Sequence, residues 1–148
     1  MRPGHAPVDA AQRERIATDL SSSMFVEAGA GTGKTASLVE RIVALIARGE
    51  ATVDQIVAIT FTRSAASELR ERIAARLEAR AASGGIDADE RARLRRAVDE
   101  IDAAAFQTID SFALALLRDR PLEAGLPPVI ETLDAVQAEI AFRERWNE

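Results

Sequence analysis

The chain has 148 residues, of which 47% are hydrophobic and 29% charged, and a formal net charge of −5. This length suits one domain with a hydrophobic core, and the composition is that of a soluble globular protein. The absence of cysteine excludes disulfides and thiolate metal sites, and the acidic balance argues against a simple nucleic-acid-binding module.

The N-terminal residues 1–8 are predicted to form a loose arm in which the lone His5 is inert. No apolar run follows them, so we predict no signal peptide, and the longest apolar stretches are too short to span a bilayer. The absence of cysteine also fits a reducing compartment. We therefore predict a cytoplasmic protein with no membrane partner.

The first half of the chain alternates helix and strand patterns. A helix is predicted over residues 10–20 with Asp9 as its N-cap, and residues 24–26 are typical of a short buried strand. A glycine-rich loop follows, and then a helix from Lys34 to about Arg48. Gly49 suits the C-terminal cap of that helix.

The second half continues the alternation. The predicted elements are, in order, a capping box over 52–55, a fully buried parallel strand over 56–61, a helix over 64–82, a solvated helix within 86–102, a strand over 104–108, a helix over 110–120, a linker at 125–128 and a helix from near Asp134. Strand, loop, helix, strand, helix predicts a βαβ unit, and hence an α/β fold with parallel strands flanked by helices. The last helix has no stop signal, which predicts a truncated product.

Residues 28–35 read Ala-Gly-Ala-Gly-Thr-Gly-Lys-Thr and lie between a predicted strand and a predicted helix, the context of a phosphate-binding loop. Glycines at 29, 31 and 33 allow positive φ, so that successive amides form an anion-binding nest at the positive end of the helix dipole. Lys34 is expected to reach the β- and γ-phosphates, and Thr35 to place its hydroxyl on Mg²⁺. The alternative is a glycine-rich turn with no ligand.

Lys34 is the only lysine beside 18 arginines. A compact ammonium with three rotatable donors is not interchangeable with a planar guanidinium. The single lysine therefore stands at the position of the loop where an ammonium would bind a phosphate. We therefore predict Lys34 as the catalytic residue of the loop.

This loop closely resembles the first motif of the UvrD/Rep-type superfamily 1 DNA helicases, and Ala28, in a position where the general pattern has glycine, narrows the resemblance to that family. Three further stretches match the family in order. They are 9–16, similar to its Q motif, 57–70, similar to a segment that contacts single-stranded DNA, and 108–118, similar to the segment after it. The tail at 121–134 resembles the RecB/AddA-like branch, whose members often couple a helicase to a nuclease.

The resemblance implies a nucleotide site for ATP and Mg²⁺. Its predicted members are Gln12, Ala28, Gly29, Ala30, Gly31, Thr32, Gly33, Lys34 and Thr35, the last as the Mg²⁺ ligand. Gln12 would read the adenine edge, because its amide can donate and accept at once. The alternative for Gln12 is the glutamine of a capping box begun by Asp9.

The resemblance also implies contacts with single-stranded DNA at the carboxyl edge of the sheet. The predicted contacts are Thr60, Phe61, Thr62, Arg63 and Thr108. The alternative to DNA contact is burial in the core for Phe61. For Arg63 the alternative is a solvated position at the start of a helix. Asp110 is excluded, because a carboxylate is repelled by phosphate, and is predicted to cap the following helix.

By the family pattern, residues 9–118 are the N-terminal part of a RecA-like P-loop motor domain, and 119–148 begin a truncated helical insertion. The implied function is that of an ATP-dependent DNA helicase that moves 3′ to 5′ on single-stranded DNA in repair or recombination. The implied partners are that DNA, the remainder of the motor, and a nuclease domain or subunit.

The sequence contains no apolar strand ending in Asp-Glu, the Walker B pattern that holds Mg²⁺ in this family, and no arginine finger is identified. The family pattern places these groups after residue 148. The 148-residue chain alone is therefore expected to bind ATP weakly and hardly to hydrolyse it. A different P-loop NTPase, or a regulatory nucleotide-binding module, is the alternative.

Overall fold

The computed structural model describes residues 9–29 and 31–146, with only the backbone of Ala135. The predicted arm at 1–8, with His5, and the predicted loop residue Ala30 lie outside the described residues. The described elements are α1 (Ala10–Thr18), α2 (Lys34–Arg48), β1 (Val57–Thr60), α3 (Arg63–Ala81), α4 (Ala88–Asp99), β2 (Ala105–Thr108), α5 (Ile109–Asp119) and α6 (Ala135–Trp146), with short 3-10 turns at Val53–Gln55 and Ile101–Ala103.

The described strands form one parallel pair. β1 and β2 run side by side in register from Val57 opposite Ala105 to Thr60 opposite Thr108. Two helices, α3 and α4, connect the strands, as a parallel crossover requires. The chain is thus a helix-rich α/β protein, and the predictions of strands over 56–61 and 104–108 are confirmed with tighter bounds.

The hydrophobic core lies between the sheet and three helices. Ile73 and Leu77 of α3 and Leu94 of α4 are fully inaccessible to solvent. Other buried side chains come from α2 (Val39, Ile42, Val43, Ile46) and from the strands (Ala58, Phe106). At about 25 cal/mol per Å² of buried apolar surface, these contacts are the main force holding the helices on the sheet.

The predicted strand at 24–26 is not formed in the described structure. Residues 23–29 have no regular secondary structure and lie outside the sheet, and the Phe25 side chain is 92% exposed. A strand needs a neighbour for its backbone N–H and C=O groups, and neither β1 nor β2 pairs with this segment. Apolar composition alone therefore predicted an element that the pairing does not support.

The prediction of a fully buried strand at 56–61 was also wrong for one face. Ala58 of β1 is buried in the core with residues of α3, whereas Val57 and Ile59 are 49% and 47% exposed. Successive strand residues face opposite sides of a sheet, so packing on a single face buries only alternate side chains. The described structure covers only one face of β1.

Helix α4 is less solvated than its charge suggests. Asp87 caps its N-terminus by accepting a hydrogen bond from the Glu90 amide at 2.6 Å. Leu94 and Ala97 are buried, while the charged residues between them lie on the outer faces. The prediction of a solvated helix was therefore wrong for the face that turns toward α2 and α3.

Arginines of α2 satisfy the C-terminal carbonyls of α1. The Arg41 guanidinium donates to the carbonyl oxygens of Ile16 and Asp19 at 2.8 and 2.6 Å, and to that of Ser22 at 3.0 Å. Arg48 donates to the carbonyl of Thr18 at 3.0 Å. The last carbonyls of a helix have no intrahelical donor, so these cations both complete the hydrogen bonds and fit the negative end of the dipole.

The same arrangement recurs at the ends of the next two helices. Arg93 of α4 donates through Nε and Nη2 to the Ala47 carbonyl near the end of α2, at 3.0 and 2.7 Å. Arg91 donates to the carbonyl of Ala81, the last residue of α3, at 3.2 Å. Gly49, at φ +75°, is the predicted C-cap of α2. Arginine side chains of one helix thus bind the C-terminal backbone carbonyls of another.

The described residues from Asp110 onward form a second compact unit. Within it, the Asp134 carboxylate accepts from the Gln137 amide at 2.8 Å, and the rings of Phe142 and Trp146 stack with centroids 5.6 Å apart. None of the described side chains of this unit is buried. Asp110 lies inside the first turn of α5 rather than at its cap, so that prediction was wrong, although a carboxylate there suits the helix dipole.

None of the helices in the described part of the chain is both long enough and apolar enough to cross a membrane.

Candidate functional site

The glycine-rich loop adopts left-handed backbone at two of its three glycines. Gly31 has φ +76° and Gly33 has φ +85°, whereas Gly29 is not in the positive-φ region. An L side chain rarely adopts these angles, so glycine is needed at 31 and 33. The prediction that Gly29 shares this conformation was wrong.

The loop delivers the chain directly into the N-terminus of α2. Gly33 is the N-cap, Lys34 is the first helical residue and Thr35 the second, and no side chain caps this end. The first N–H groups of a helix have no intrahelical acceptor, and the helix dipole makes this end positive. The arrangement is therefore suited to hold an anion.

The Lys34 side chain folds back along the loop. Its Nζ donates to the carbonyl oxygens of Ala28 and of Gly29, the latter at 3.0 Å. The Thr32 hydroxyl donates to the same Gly29 carbonyl at 2.7 Å. These bonds keep the exposed ammonium beside the loop, with donors free to rotate toward a phosphate.

The loop fits a triphosphate with Mg²⁺. A Cβ placed on Gly31 would meet no atom within 4 Å, so open space adjoins the curved backbone. The Thr35 side chain is exposed next to it. A hydroxyl oxygen together with phosphate oxygens is a donor set that Mg²⁺ accepts, with water completing the octahedron.

Helix α1 is anchored beside this loop. Arg13 donates from Nε to the Asp9 carboxylate at 2.9 Å and from Nη2 to the Thr32 carbonyl of the loop. Asp9 occupies the predicted N-cap position of α1, but its carboxylate, which Arg13 engages, makes no capping hydrogen bond. The Arg13 hydrogen bond is the main cause that lowers the pKa of the Asp9 carboxyl below its ordinary range.

Gln12, the residue before Arg13, is exposed on α1. It borders a cleft of about 350 Å³, which is also lined by Arg15 and Ile16 of α1 and by residues 23–27, including Phe25. An amide and an aromatic ring at one cleft supply hydrogen bonding and stacking, the two interactions that bind a nucleobase. With Asp9 engaged by Arg13, the capping-box alternative for Gln12 has no support in the structure.

The predicted DNA-contacting residues gather at the carboxyl edge of the sheet. Thr60 and Thr108 are register partners at the ends of β1 and β2. The Thr60 hydroxyl donates to the Thr62 carbonyl at 2.9 Å, and the Thr62 hydroxyl accepts from the Ala65 amide at 3.1 Å. Thr62 is therefore the N-cap of α3, a structural task that leaves its hydroxyl one further hydrogen bond.

The exposure of the remaining predicted contacts differs sharply. Phe61 is 96% exposed, which removes the core alternative for this residue. Arg63 is exposed as the first residue of α3. Thr108 is only 8% exposed, so little of its surface is available to a ligand.

Sequence reasoning missed the roles of Arg13 and Arg41. Arg13 joins α1 to the loop, and Arg41 holds the segment between them. Arg13 lies in the stretch that resembles the Q motif, but no role was assigned to it there. For Arg41 the heavy use of arginine was the only signal, and it does not tell a backbone-binding arginine from a solvated one.

Comparison with known proteins gives one family. Residues 8–147 match the family described as the UvrD/REP helicase N-terminal domain. Among curated proteins, the chain is 42% identical over 132 residues to an ATP-dependent helicase/nuclease subunit of Lactobacillus delbrueckii subsp. bulgaricus. It is 36% identical over 142 residues to the protein of the same name from Desulforamulus reducens, and 37% identical over 135 residues to that of Lactobacillus helveticus.

These alignments cover 88% to 90% of the chain but only 11% of each relative. The chain therefore corresponds to about a tenth of the length of the proteins it matches.

Proposed function

The chain belongs to the UvrD/REP helicase N-terminal domain family, and from that premise we propose that it is the ATP-binding N-terminal part of an ATP-dependent DNA helicase. The observation that carries the proposal is the glycine loop at the uncapped N-terminus of α2, with Lys34 at the first helical position. The relatives are named as ATP-dependent helicase/nuclease subunits, which agrees with this function.

In this proposal two parts of the chain bind the nucleotide: the glycine loop with the start of α2 binds the phosphates, and α1 binds the base. The loop amides and Lys34 bind the phosphates, with Thr35 as the protein ligand of Mg²⁺, and Gln12 reads the adenine across the cleft beside Phe25. The metal supplies neutralisation of charge that develops on the phosphates. Lys34 must exchange the carbonyls of Ala28 and Gly29 for phosphate oxygens, an exchange that its rotatable donors permit.

The carboxyl edge of the sheet is the proposed contact with single-stranded DNA. Phe61 offers an exposed ring for base stacking, and Arg63 a cation for a phosphate. Thr60 and Thr62 present backbone and hydroxyl groups beside them, whereas the burial of Thr108 supports a role in shaping the edge. Because the net charge is −5, we expect tight DNA binding only when other basic surfaces contribute to the groove.

We further propose that residues 9–118 are the front of a RecA-like motor and that 119–148 begin a helical insertion. The longer protein would translocate 3′ to 5′ in DNA repair or recombination, in the cytoplasm, together with the rest of the motor and a nuclease domain or subunit. The sequence of this chain contains no apolar strand that ends in Asp-Glu, the pattern that would supply the carboxylate for Mg²⁺. The 148-residue chain alone is therefore expected to bind ATP but hydrolyse it hardly at all.

The test is a comparison of Lys34→Ala with the unaltered sequence in the longer protein that carries this domain. DNA-stimulated ATP turnover is expected to fall by a factor of about 10² or more, because phosphate charge loses its stabilising ammonium. Retained turnover in the variant would contradict the assignment of Lys34. Turnover indifferent to single-stranded DNA would instead favour another P-loop NTPase.

A further inference from the structure

Among the described side chains of α1, the helix that carries Gln12, Arg13 is the one that donates a hydrogen bond to the phosphate loop. Its guanidinium is held by the Asp9 carboxylate, with Nη2 to Oδ2 at 2.8 Å, and it donates to the Thr32 carbonyl. The planar guanidinium has donors in fixed directions, so binding both acceptors fixes α1 relative to the loop.

The packing against Gly33 shows how closely the guanidinium fits the loop. A Cβ placed on Gly33 would lie 2.9 Å from Arg13 Nη1, nearer than real Cβ contacts allow. The guanidinium thus adjoins the backbone that leads into α2, immediately before Lys34. A movement of α1 that shifts Arg13 would therefore act directly on the backbone at Gly33.

From this geometry we propose that Arg13 is a positioning residue that couples the base-reading helix to the phosphate loop. It makes the base subsite at Gln12 and the phosphate subsite at 28–35 bind as one site. This inference rests on the proposed nucleotide function. It predicts that without Arg13 the chain still binds phosphate chains but gains much less from the presence of a base.

The chain offers a matched control away from the nucleotide site. Arg72 carries the same charge and pairs with Glu68 on the exposed surface of α3. Arg72→Ala removes one cation without touching the loop or the cleft beside Gln12. Asp9→Asn is a second test variant, because it removes the carboxylate that orients the Arg13 guanidinium and leaves Arg13 itself in place beside Thr32.

The experiment is an NMR titration of the 148-residue chain with Mg²⁺-ATP and, separately, with Mg²⁺-tripolyphosphate. The advantage given by the base is the dissociation constant of tripolyphosphate divided by that of ATP. We expect this ratio to fall about tenfold in Arg13→Ala. It should fall in the same direction in Asp9→Asn and stay within about twofold in Arg72→Ala. An unchanged ratio in both Arg13→Ala and Asp9→Asn overturns the proposal, because a purely structural arginine would weaken both ligands equally.

A nucleotide-free measurement separates this proposal from the proposed function. Exchange of the Gly33 and Lys34 amides with solvent should accelerate at least severalfold in Arg13→Ala and not in Arg72→Ala, because only the first variant removes the link between the loop and α1. Unchanged exchange overturns the link itself. A wild-type chain that binds neither ligand overturns the nucleotide function, while the exchange data still decide whether Arg13 holds the loop.

Discussion

At the scale of single residues, the two left-handed glycines of the loop have different surroundings. Gly31 at φ +76° faces open space, whereas Gly33 at φ +85° faces the Arg13 guanidinium. The backbone alone requires glycine at Gly31. At Gly33 a neighbouring side chain adds a second requirement.

Alanine substitution separates these two requirements. Gly31→Ala should lower the free energy of unfolding by about 1 kcal/mol, the cost of left-handed backbone for an L residue. Gly33→Ala should cost more, because it also displaces Arg13. The extra loss of stability in Gly33→Ala should disappear in a background that also carries Arg13→Ala. Thermal unfolding of Gly31→Ala, Gly33→Ala, Arg13→Ala and the double variant Gly33→Ala/Arg13→Ala measures it. Equal losses for both glycines would contradict the contact.

Asp9 gives a prediction on pH. Its pKa is lowered chiefly by the hydrogen bond from Arg13, so the stabilisation it gives is complete above the unfolded pKa of about 3.9 and is lost as the pH falls through the lower, folded value. Carbonyl NMR titration of the chain should show this low pKa, and Arg13→Ala should return it to the ordinary range. The same pKa in both proteins would mean that the ion pair does not persist in solution.

At the scale of elements, Arg41 should stabilise α1 more than any exposed ion pair does. It donates to several carbonyls of residues 16–22, which have no other donor in α2 except Arg48. Because these bonds involve a charged donor and a half-buried side chain, Arg41→Ala should cost about 2 kcal/mol.

Arg72→Ala is the matched comparison, because Arg72 pairs only with Glu68 on the exposed surface of α3. It should cost less than about 0.5 kcal/mol. Urea unfolding gives both values, and hydrogen exchange should show the Arg41 effect concentrated in α1. Similar losses in the two variants would contradict the anchoring of α1 by Arg41.

Elements with a regular pattern were predictable from the sequence, because periodicity and caps act locally. The helix beginning at Lys34, with Gly49 at its C-cap, is one such case, and the parallel strands at 57–60 and 105–108 are another. The failures concern properties that depend on neighbours. Whether residues 24–26 pair, and which face of β1 or α4 is covered, is decided by elements distant in the sequence.

The candidate site also has a part that the sequence predicted and a part that it did not. The loop could be predicted because glycines, lysine and threonine at fixed spacing impose its geometry. The Arg13 link was not, because a hydrogen bond to the Thr32 carbonyl leaves no trace in residue types. Arg13 resembles any exposed helical arginine until its partner is known.

At the scale of the whole molecule, burial is concentrated in the first unit. The fully inaccessible side chains Ile73, Leu77 and Leu94 all lie before Ile109. The described part of the second unit contains no buried side chain, and Leu122, Val129 and Phe142 are each more than half exposed. The two units should therefore differ in local stability.

Hydrogen exchange of the whole chain should reveal this difference. Amides of α3 and α4 around Ile73, Leu77 and Leu94 should exchange slowest, through global unfolding. Amides after residue 120 should exchange rapidly, because few buried contacts oppose opening there. Protection of α6 equal to that of α3 would contradict this division.

The isolation of Lys34 among arginines has a consequence for labelling chemistry. An amine-selective acylating reagent finds one side chain to modify in this chain, apart from the α-amino group, because guanidinium groups do not react under mild conditions. The Lys34 side chain is exposed and donates to the carbonyls of Ala28 and Gly29. The mass added at Lys34 therefore reports how accessible this amine is, and a bound triphosphate should protect it from acylation.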